Sequence, residues 1–297
     1  MAFHLNTPLI QSLALPAKSR IWLKMDALQP CGSFKIRGMG FACEQYARQG
    51  AKGFVCSSGG NAGLAVAFAA RQLGIPAKVV VPVTTGERAK VLLKQEGAEV
   101  QVQGESWQEA HEFAQTLLEE DWYYLHPFDD PLLWQGHSSI IDEVIEAGVK
   151  PDAIVVAVGG GGLLSGVLLG LEKANLKDTA VFAVETEGAG SLSLALKEQR
   201  LASLDAIDSI ATSLGAKQVC EQAFVKSQQW PVQSVLVSDQ QAVDACKAFA
   251  DDHRVLVEPA CGAALSVVYD QPKRLEDFSD VLVVVCGGAG VSLAQFN

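Results

Sequence analysis

Short apolar runs rich in β-branched residues alternate along the chain with stretches whose apolar residues recur at helical spacing. The runs include GFVCSS, AKVVVP, DAIVVAV and DVLVVVC, and glycine or proline stands at most of the joints. Strands that alternate with helices in this way form parallel sheets covered by helices on both faces. We therefore predict an α/β protein with open, twisted, mostly parallel sheets flanked by helices.

The number of strands indicates two sheets rather than one. About four strands precede Pro127 and four or five follow it, although the first strand fits either half of the chain. We predict two lobes that face each other across a cleft: a small domain at residues 29–131 and a large domain at residues 1–28 plus 132–297.

Composition and charge argue against several classes of protein. The chain has 297 residues, of which 49% are hydrophobic and 19% charged, and its net charge is -11. Because Lys and Arg form no cluster, we expect no nucleic-acid partner. No apolar run approaches the ~20 residues of a membrane helix and no secretory signal is visible, so we expect a cytoplasmic protein with no membrane partner. The seven cysteines lack paired spacing, which favours buried thiols over zinc ligands or disulfides.

Three glycine-containing loops follow predicted strands, at the edge where open α/β sheets bind their ligands. In VCSSGGNAG (55–63), backbone N–H groups with Ser57, Ser58 and Asn61 suit a small anion such as a carboxylate. In VGGGGLLSG (158–166), four residues without a Cβ precede a helix, which suits a phosphate. The third loop, VCGGAGVS (285–292), places Cys286 at the same edge.

Lys35 lies in the segment CGSFKIRG, between Phe34 and Ile36. Such neighbours either let the side chain reach past them to solvent or favour a neutral amine, the form that condenses with an aldehyde. Pyridoxal phosphate would use the phosphate loop, the amine and a thiol partner for its ring nitrogen together. A dinucleotide is an alternative for the glycine loop, because Glu185 lies near the distance at which that fingerprint has its acidic residue.

Several segments together resemble the fold type II family of pyridoxal phosphate enzymes, and the resemblance spans nearly the whole chain. The segments are GSFKIRG, SSGGNAG, GGGG, VETEGAGS, EPACGAAL and the terminal VVCGG. Within that family, SFKIRG is similar to the lysine segment of the animal-type L-serine/L-threonine dehydratases, whereas threonine synthases resemble SFKDRG and cysteine synthases SVKDR. The resemblance implies a tryptophan synthase β-like fold with the cofactor between the lobes. It also implies β-elimination of L-serine to pyruvate and ammonia, and of L-threonine to 2-oxobutanoate and ammonia.

The resemblance assigns roles to residues that match the family pattern. Lys35 would hold pyridoxal 5'-phosphate as a Schiff base and later move the α-proton, and Ser58, Gly59 and Asn61 would hold the carboxylate of a small hydroxy amino acid. The cofactor-binding residues would be Phe34 on the ring face, Lys35, Asn61 on the ring hydroxyl, Gly159, Gly160, Gly161, Gly162 and Leu163 on the phosphate, Cys286 on the ring nitrogen, and Gly287. A monovalent cation such as K⁺ would lie among Glu185, Ala189, Ser191, Ser213, Leu214 and Gly215.

The predicted thiol partner of the ring nitrogen bears on the type of reaction. A thiol has a pKa of about 8.5 and cannot keep a proton on that nitrogen as a carboxylate does. A neutral ring is a poorer electron sink, which favours prompt elimination over racemisation or transamination. The resemblance makes the cofactor phosphate the acid for the departing hydroxyl, and we expect no catalytic role for His126 or His137.

Three positions depart from the family pattern. Cys31 stands where relatives often have Ser, Gly59 stands where others have Ala, and the closing motif is CGGAG rather than CGGxN. The alternatives are therefore a serine racemase or a β-replacement synthase on the same scaffold, or a catalytically idle cofactor-binding protein. Family likeness and the frequency of twofold dimers predict a homodimer.

Overall fold

The predicted alternation of strands and helices is confirmed in the computed structural model, which describes residues 2–15 and 18–296. The strands in these residues are β1 (Leu9–Ser12), β2 (Arg20–Lys24), β3 (Gly53–Cys56), β4 (Ala77–Val81), β5 (Glu99–Val102), β6 (Trp122–Tyr124), β7 (Ala153–Ala157), β8 (Ala180–Thr186), β9 (Val232–Val237) and β10 (Asp280–Val284). The helices are α1 (Lys35–Arg48), α2 (Asn61–Leu73), α3 (Glu87–Gln95), α4 (Trp107–Thr116), α5 (Pro131–Glu146), α6 (Gly162–Lys173), α7 (Ser191–Glu198), α8 (Glu221–Gln229), α9 (Asp239–His253) and α10 (Pro259–Asp270).

The strands form two separate sheets. One has six strands in the order β1-β2-β10-β7-β8-β9, and the other has four in the order β5-β4-β3-β6. The strands β1 and β2 pair antiparallel, and the other strand pairs of the described residues are parallel. The predicted fold class, two mostly parallel sheets flanked by helices, is thereby confirmed.

Burial explains why the central strands were readable from sequence. Every residue of β7 (AIVVA) and of β8 (AVFAVET) is buried, as expected of parallel strands covered on both faces. The helix α10 packs against both strands, and most of its own residues are buried. None of the helices formed by the described residues has the length and apolar character needed to cross a membrane.

Six strands rather than about four precede Pro127, because two short strands escaped the sequence pattern. Three residues of β1 remain at least partly exposed at the antiparallel edge of the larger sheet. The strand β6 has only three residues, all half-buried. Neither strand is long enough or buried enough to show a clear run of apolar residues.

The two sheets draw on different parts of the chain. The four-stranded sheet comes from β3 to β6, and the six-stranded sheet takes β1 and β2 together with β7 to β10. The division into residues 29–131 and residues 1–28 plus 132–297 is compatible with this distribution. The boundaries themselves stay a prediction.

A buried cluster of charges ties α1 to the residue after β2 and to α5. The guanidinium of Arg37 donates to both carboxylate oxygens of Asp26, at 2.6 and 2.8 Å. It donates equally to both oxygens of Glu143, at 2.6 and 2.8 Å, and to the Ser139 hydroxyl at 2.9 Å. Lys24, also buried, lies 2.5 Å from Glu143. Two cations thus face two carboxylates one helical turn away from the predicted catalytic lysine.

Candidate active site

The lysine segment is joined to the loop after β10 by backbone hydrogen bonds. Phe34 N–H donates to the carbonyl of Cys286 at 3.0 Å, and Gly288 N–H donates to the carbonyl of Gly32 at 2.8 Å. These bonds hold the start of α1, where Lys35 is the first helical residue, beside the end of β10. The structure thus brings together Lys35 and Cys286, which sequence reasoning placed in one site.

The Lys35 amine lies among protein groups rather than in solvent. Its Nζ donates to the carbonyl oxygen of Pro127 at 2.6 Å and lies 5.1 Å from the centroid of the Phe34 ring. Burial lowers the pKa of Lys35 to about 8, although nearby thiols and the Glu258 carboxyl partly oppose the shift. Ile36 is fully buried. The neutral amine is therefore accessible near neutral pH.

The tetraglycine loop connects β7 to α6. Gly161 has a φ of +88° and directly precedes the helix, so the loop needs a residue without a Cβ at that point. A Cβ added at Gly160 would lie 2.2 Å from the ring of Phe128. Because the first N–H groups of a helix have no acceptor within it, the start of α6 offers donors to an anion.

The serine loop connects β3 to α2, and its two hydroxyls have different partners. Ser57 is fully buried, and its Oγ lies 2.6 Å from the phenol oxygen of Tyr124. Ser58 accepts a hydrogen bond from Gly60 N–H at 3.3 Å. The hydroxyl proton of Ser58 is thus left to donate to a ligand, whereas Ser57 is engaged within the protein.

Asn61 at the start of α2 crosses to groups that follow strands of the larger sheet. Its Nδ2 donates to Glu258 Oε1 at 2.8 Å and to Ser213 Oγ at 3.4 Å, and its Oδ1 accepts from Ala289 N–H at 2.9 Å. Burial raises the pKa of Glu258 to about 7, with the hydrogen bonds from Ser213 and Asn61 opposing the shift. The sequence analysis assigned no role to Glu258, although its segment EPACGAAL is part of the family pattern.

The Cys286 thiol is buried and weakly acidic. A hydrogen bond with Cys261, together with burial, raises the pKa of Cys286 well above its usual range. All the cysteines are buried and free, as the sequence predicts: Cys31, Cys43, Cys56, Cys220, Cys246, Cys261 and Cys286. Cys286 thus keeps its proton over the whole physiological range.

The residues predicted around a monovalent cation follow β8 and line a nearby turn. Glu185 is buried at the end of β8, and its two oxygens accept from the N–H groups of Leu192 and Ser193, each at 2.8 Å. Burial raises the pKa of Glu185 to about 7. The Ser191 hydroxyl is buried without a hydrogen-bond partner, and Leu214 lies in the turn that packs on Gly159. Ala189, Ser213 and Gly215 complete the predicted set. No group of three or more His, Cys, Asp or Glu side chains in the described residues could hold a metal ion.

The two histidines near the bend have structural surroundings. His126 Nδ1 accepts from the N–H groups of Phe128 and Asp129, at 3.3 and 2.8 Å. Burial lowers the pKa of His126 to about 4. His137 is fully buried on α5 with its ring centroid 4.9 Å from that of Phe34, and burial lowers its pKa well below the usual range. Both rings are therefore neutral at physiological pH.

The donors and acceptors of the cleft fit pyridoxal phosphate. An anion would meet the start of α6, an aldehyde would meet the Lys35 amine, and a ring would lie between Asn61 and Cys286. The fit rests on the lowered pKa of Lys35 and on the backbone bonds that hold it beside the Cys286 loop.

Comparison with known proteins gives matches along the whole chain. A family model described as "Pyridoxal-phosphate dependent enzyme" matches residues 2–287. The L-serine dehydratase/L-threonine deaminase of Mus musculus is 48% identical, with 100% of this chain and 94% of that protein covered. A fungal L-serine ammonia-lyase from Rhizomucor miehei has a TM-score of 0.94 at 39% identity, covering 100% of this chain and 98% of the other. Maize serine racemase has a TM-score of 0.91 at 26% identity, covering 99% and 91%.

Proposed function

The chain belongs to the pyridoxal-phosphate dependent enzymes, and from this premise we propose that it eliminates the β-hydroxyl of L-serine to release pyruvate and ammonia. The proposal extends to L-threonine, which would give 2-oxobutanoate and ammonia. The observation that carries it is a buried amine of lowered pKa, Lys35, held beside a thiol, Cys286. The mouse relative and the fungal structure, both named for action on L-serine, support the same assignment.

Lys35 would attach the cofactor and move the α-proton of the substrate. Attachment requires the neutral amine, and a pKa of about 8 leaves a useful fraction of Lys35 neutral near pH 7. The Pro127 carbonyl at 2.6 Å orients the amine at the start of α1. Its acceptor is uncharged, so it does not hold the amine in the protonated form as a carboxylate would.

The residues around Lys35 would hold the remaining parts of the cofactor. When bound, pyridoxal phosphate supplies an electron-withdrawing ring and a doubly charged phosphate. The N–H groups of Gly159 to Leu163 would donate to the phosphate, and an N–H of Asn61 would donate to the ring hydroxyl. Phe34 would pack against the face of the ring, and Cys286 with Gly287 would border its nitrogen.

Ser58, Gly59 and Asn61 would receive the substrate carboxylate. The hydroxyl of Ser58 and the loop N–H groups supply donors of the kind that carboxylates accept. A Cβ at Gly59 would lie 2.8 Å from Thr85 Cγ2 and 3.2 Å from Val81 Cγ1. The alanine that other family members carry here would therefore require Thr85 or the loop to shift.

The Cys286 thiol favours elimination over racemisation. Its pKa lies well above the usual range, so it offers the ring nitrogen a neutral partner and no negative charge. Without that charge, the ring nitrogen is not held protonated and charge builds up less on the ring. Loss of the β-hydroxyl then competes well against return of a proton to the α-carbon.

Four finer points complete the proposal. A monovalent cation such as K⁺ would bind among Glu185, Ala189, Ser191 and the 213–215 turn, where the buried Ser191 hydroxyl lacks a partner. The active species would be a cytoplasmic homodimer, as twofold dimers are the commonest assemblies. The small domain would span residues 29–131 and the large domain residues 1–28 plus 132–297.

The test combines cofactor absorption with a keto-acid assay. Purified protein supplied with pyridoxal phosphate should absorb visible light and form pyruvate from L-serine, in assays run with and without K⁺. Lys35→Ala should lose both properties. Lys78→Ala is a matched control, because Lys78 also lies over an aromatic ring, 4.3 Å from the centroid of Trp122, but outside the cleft.

The same assays separate the alternatives. D-serine as the main product would identify a racemase, and a spectral change with serine but no keto acid would identify an idle binding protein. A β-replacement synthase would need an added nucleophile for turnover. A wild-type protein that stays colourless with pyridoxal phosphate would refute the proposal, and quenching of tryptophan fluorescence by NADH would then favour the dinucleotide alternative.

A further inference from the structure

Asn61 is held by hydrogen bonds at both ends of its amide, and the strongest bond to its nitrogen comes from Glu258. The Nδ2···Oε1 distance to Glu258 is 2.8 Å, whereas that to Ser213 Oγ is 3.4 Å. Ala289 N–H donates to the amide oxygen at 2.9 Å. Glu258 and Asn61 are 197 residues apart in the chain, so helix α2 of one lobe is anchored by the start of α10 in the other.

The Glu258 carboxyl is committed to this contact by its surroundings. Glu258 directly precedes α10, but its side chain does not cap that helix; only its carbonyl does, by accepting from the N–H groups of Cys261 and Gly262. On the opposite side, a Cβ added at Gly288 would come within 2.4 Å of the Glu258 carboxyl. The bare backbone of Gly288 therefore leaves room for a carboxyl that reaches Asn61.

We propose that Glu258 is a positioning residue for the cofactor, because it holds the Asn61 amide with its N–H groups, rather than its oxygen, available to the ring hydroxyl. The inference deepens the proposed function and rests on its assignment of Asn61. An amide presents an acceptor at one end and donors at the other, and rotation by half a turn exchanges them. With Glu258 accepting one hydrogen of Nδ2, the second hydrogen remains for the ligand. Without that acceptor, both orientations of the amide become populated.

Three substitutions at position 258 separate the hydrogen-bond acceptor from the negative charge. Gln keeps an acceptor oxygen at the same reach but has no charge, Asp keeps the charge but is shorter by one methylene, and Leu has neither. Glu146→Leu, at an exposed position on α5, is the control. Cofactor-free protein is titrated with pyridoxal phosphate, and the dissociation constant and the position of the visible band are recorded. Thermal unfolding of each cofactor-free variant checks that it is folded.

The order of the variants decides the proposal. We expect Glu258→Gln to bind within about threefold of wild type with an unshifted band. Glu258→Leu and Glu258→Asp should bind about tenfold more weakly with a shifted band, since a hydrogen bond to a charged group contributes roughly that factor. If Glu258→Leu does not fold, the Gln and Asp variants still give the answer.

Two results overturn the inference. Wild-type affinity in Glu258→Asp together with weak binding in Glu258→Gln would show that the charge matters instead of the position. Wild-type affinity and band in all three variants would show that Asn61 needs no such support. A wild-type protein that captures no pyridoxal phosphate would refute the proposed function itself, a result distinct from either of these.

Discussion

Replacing Arg37 with methionine tests whether the buried charges hold the lysine helix in place. Arg37 is fully buried and satisfies four carboxylate oxygens, two from Asp26 and two from Glu143. Methionine has a comparable length but no donor. In Arg37→Met, Lys24 would be the remaining cation of the cluster, set against two buried carboxylates.

The expected loss of stability follows from the burial of the charges. Removing one partner of a buried ion pair costs about 3–5 kcal/mol. Each kcal/mol lowers the melting temperature of a domain of 150–250 residues by roughly 2–4 °C, so the fall should be about 6–20 °C, towards the lower end for this longer chain. Arg48→Met on the same helix is the control: Arg48 is 64% exposed and pairs with Glu44 one turn away. Such surface pairs contribute about 0.3–0.5 kcal/mol, which corresponds to roughly 1 °C.

The effect of Arg37→Met should depend on pH. Burial opposes the charge on Glu143, but the hydrogen bonds from His4 and Arg37 prevail and lower its pKa from 4.5 to about 2. A carboxyl whose pKa is depressed on folding stabilises the protein above its unfolded pKa and loses that contribution as pH falls through the folded value. The difference between wild type and Arg37→Met should thus be full at neutral pH and narrow between about pH 4.5 and pH 2.

The assay is thermal unfolding followed by circular dichroism or calorimetry, on cofactor-free protein at neutral pH and at about pH 3. Equal melting temperatures for Arg37→Met and Arg48→Met at neutral pH would refute the reasoning. A difference between wild type and Arg37→Met that grows on acidification would refute the assigned role of Glu143 alone.

Three further predictions concern the cofactor. Gly160→Ala, whose Cβ would lie 2.2 Å from the Phe128 ring, should displace the phosphate loop and weaken cofactor binding about tenfold in an absorbance titration, whereas Gly86→Ala, whose Cβ meets nothing within 4 Å, should not. The rate at which cofactor-free protein captures pyridoxal phosphate should rise with pH through about 8, as the Lys35 amine loses its proton; a flat rate would contradict the assignment. Cys286→Asp should keep a proton on the ring nitrogen and raise the ratio of D-serine to pyruvate formed from L-serine, measured by chromatography; an unchanged ratio would count against the thiol argument.

The sequence predicts the central strands and the ligand loops because their physical requirements are local. The strands β7 and β8 are buried along their whole length, which demands apolar residues at every position. Gly161 must adopt a φ of +88°, which favours glycine whatever surrounds the loop. By contrast, the half-buried β6 places no such demand on its three residues, and the sequence does not reveal it.

Contacts between distant segments are not readable in this way. The bond between Asn61 and Glu258 joins residues 197 positions apart, and that between Arg37 and Glu143 joins residues 106 apart. No periodicity or turn residue records which side chain a buried acid will meet. The family pattern contained Glu258 within EPACGAAL, yet only the folded structure shows what its carboxyl contacts.

The charge states of Lys35 and Arg37 show why these distant contacts matter for chemistry. The two residues lie in the first turn of the same helix, yet Lys35 has the neutral carbonyl of Pro127 as its partner, whereas Arg37 has two carboxylates. Burial lowers the pKa of Lys35 to about 8. Burial also opposes the charge on Arg37, but Asp26 and Glu143 prevail and raise its pKa. Since burial acts in the same direction on both, their acceptors decide that one can become a neutral nucleophile while the other remains a fixed cation.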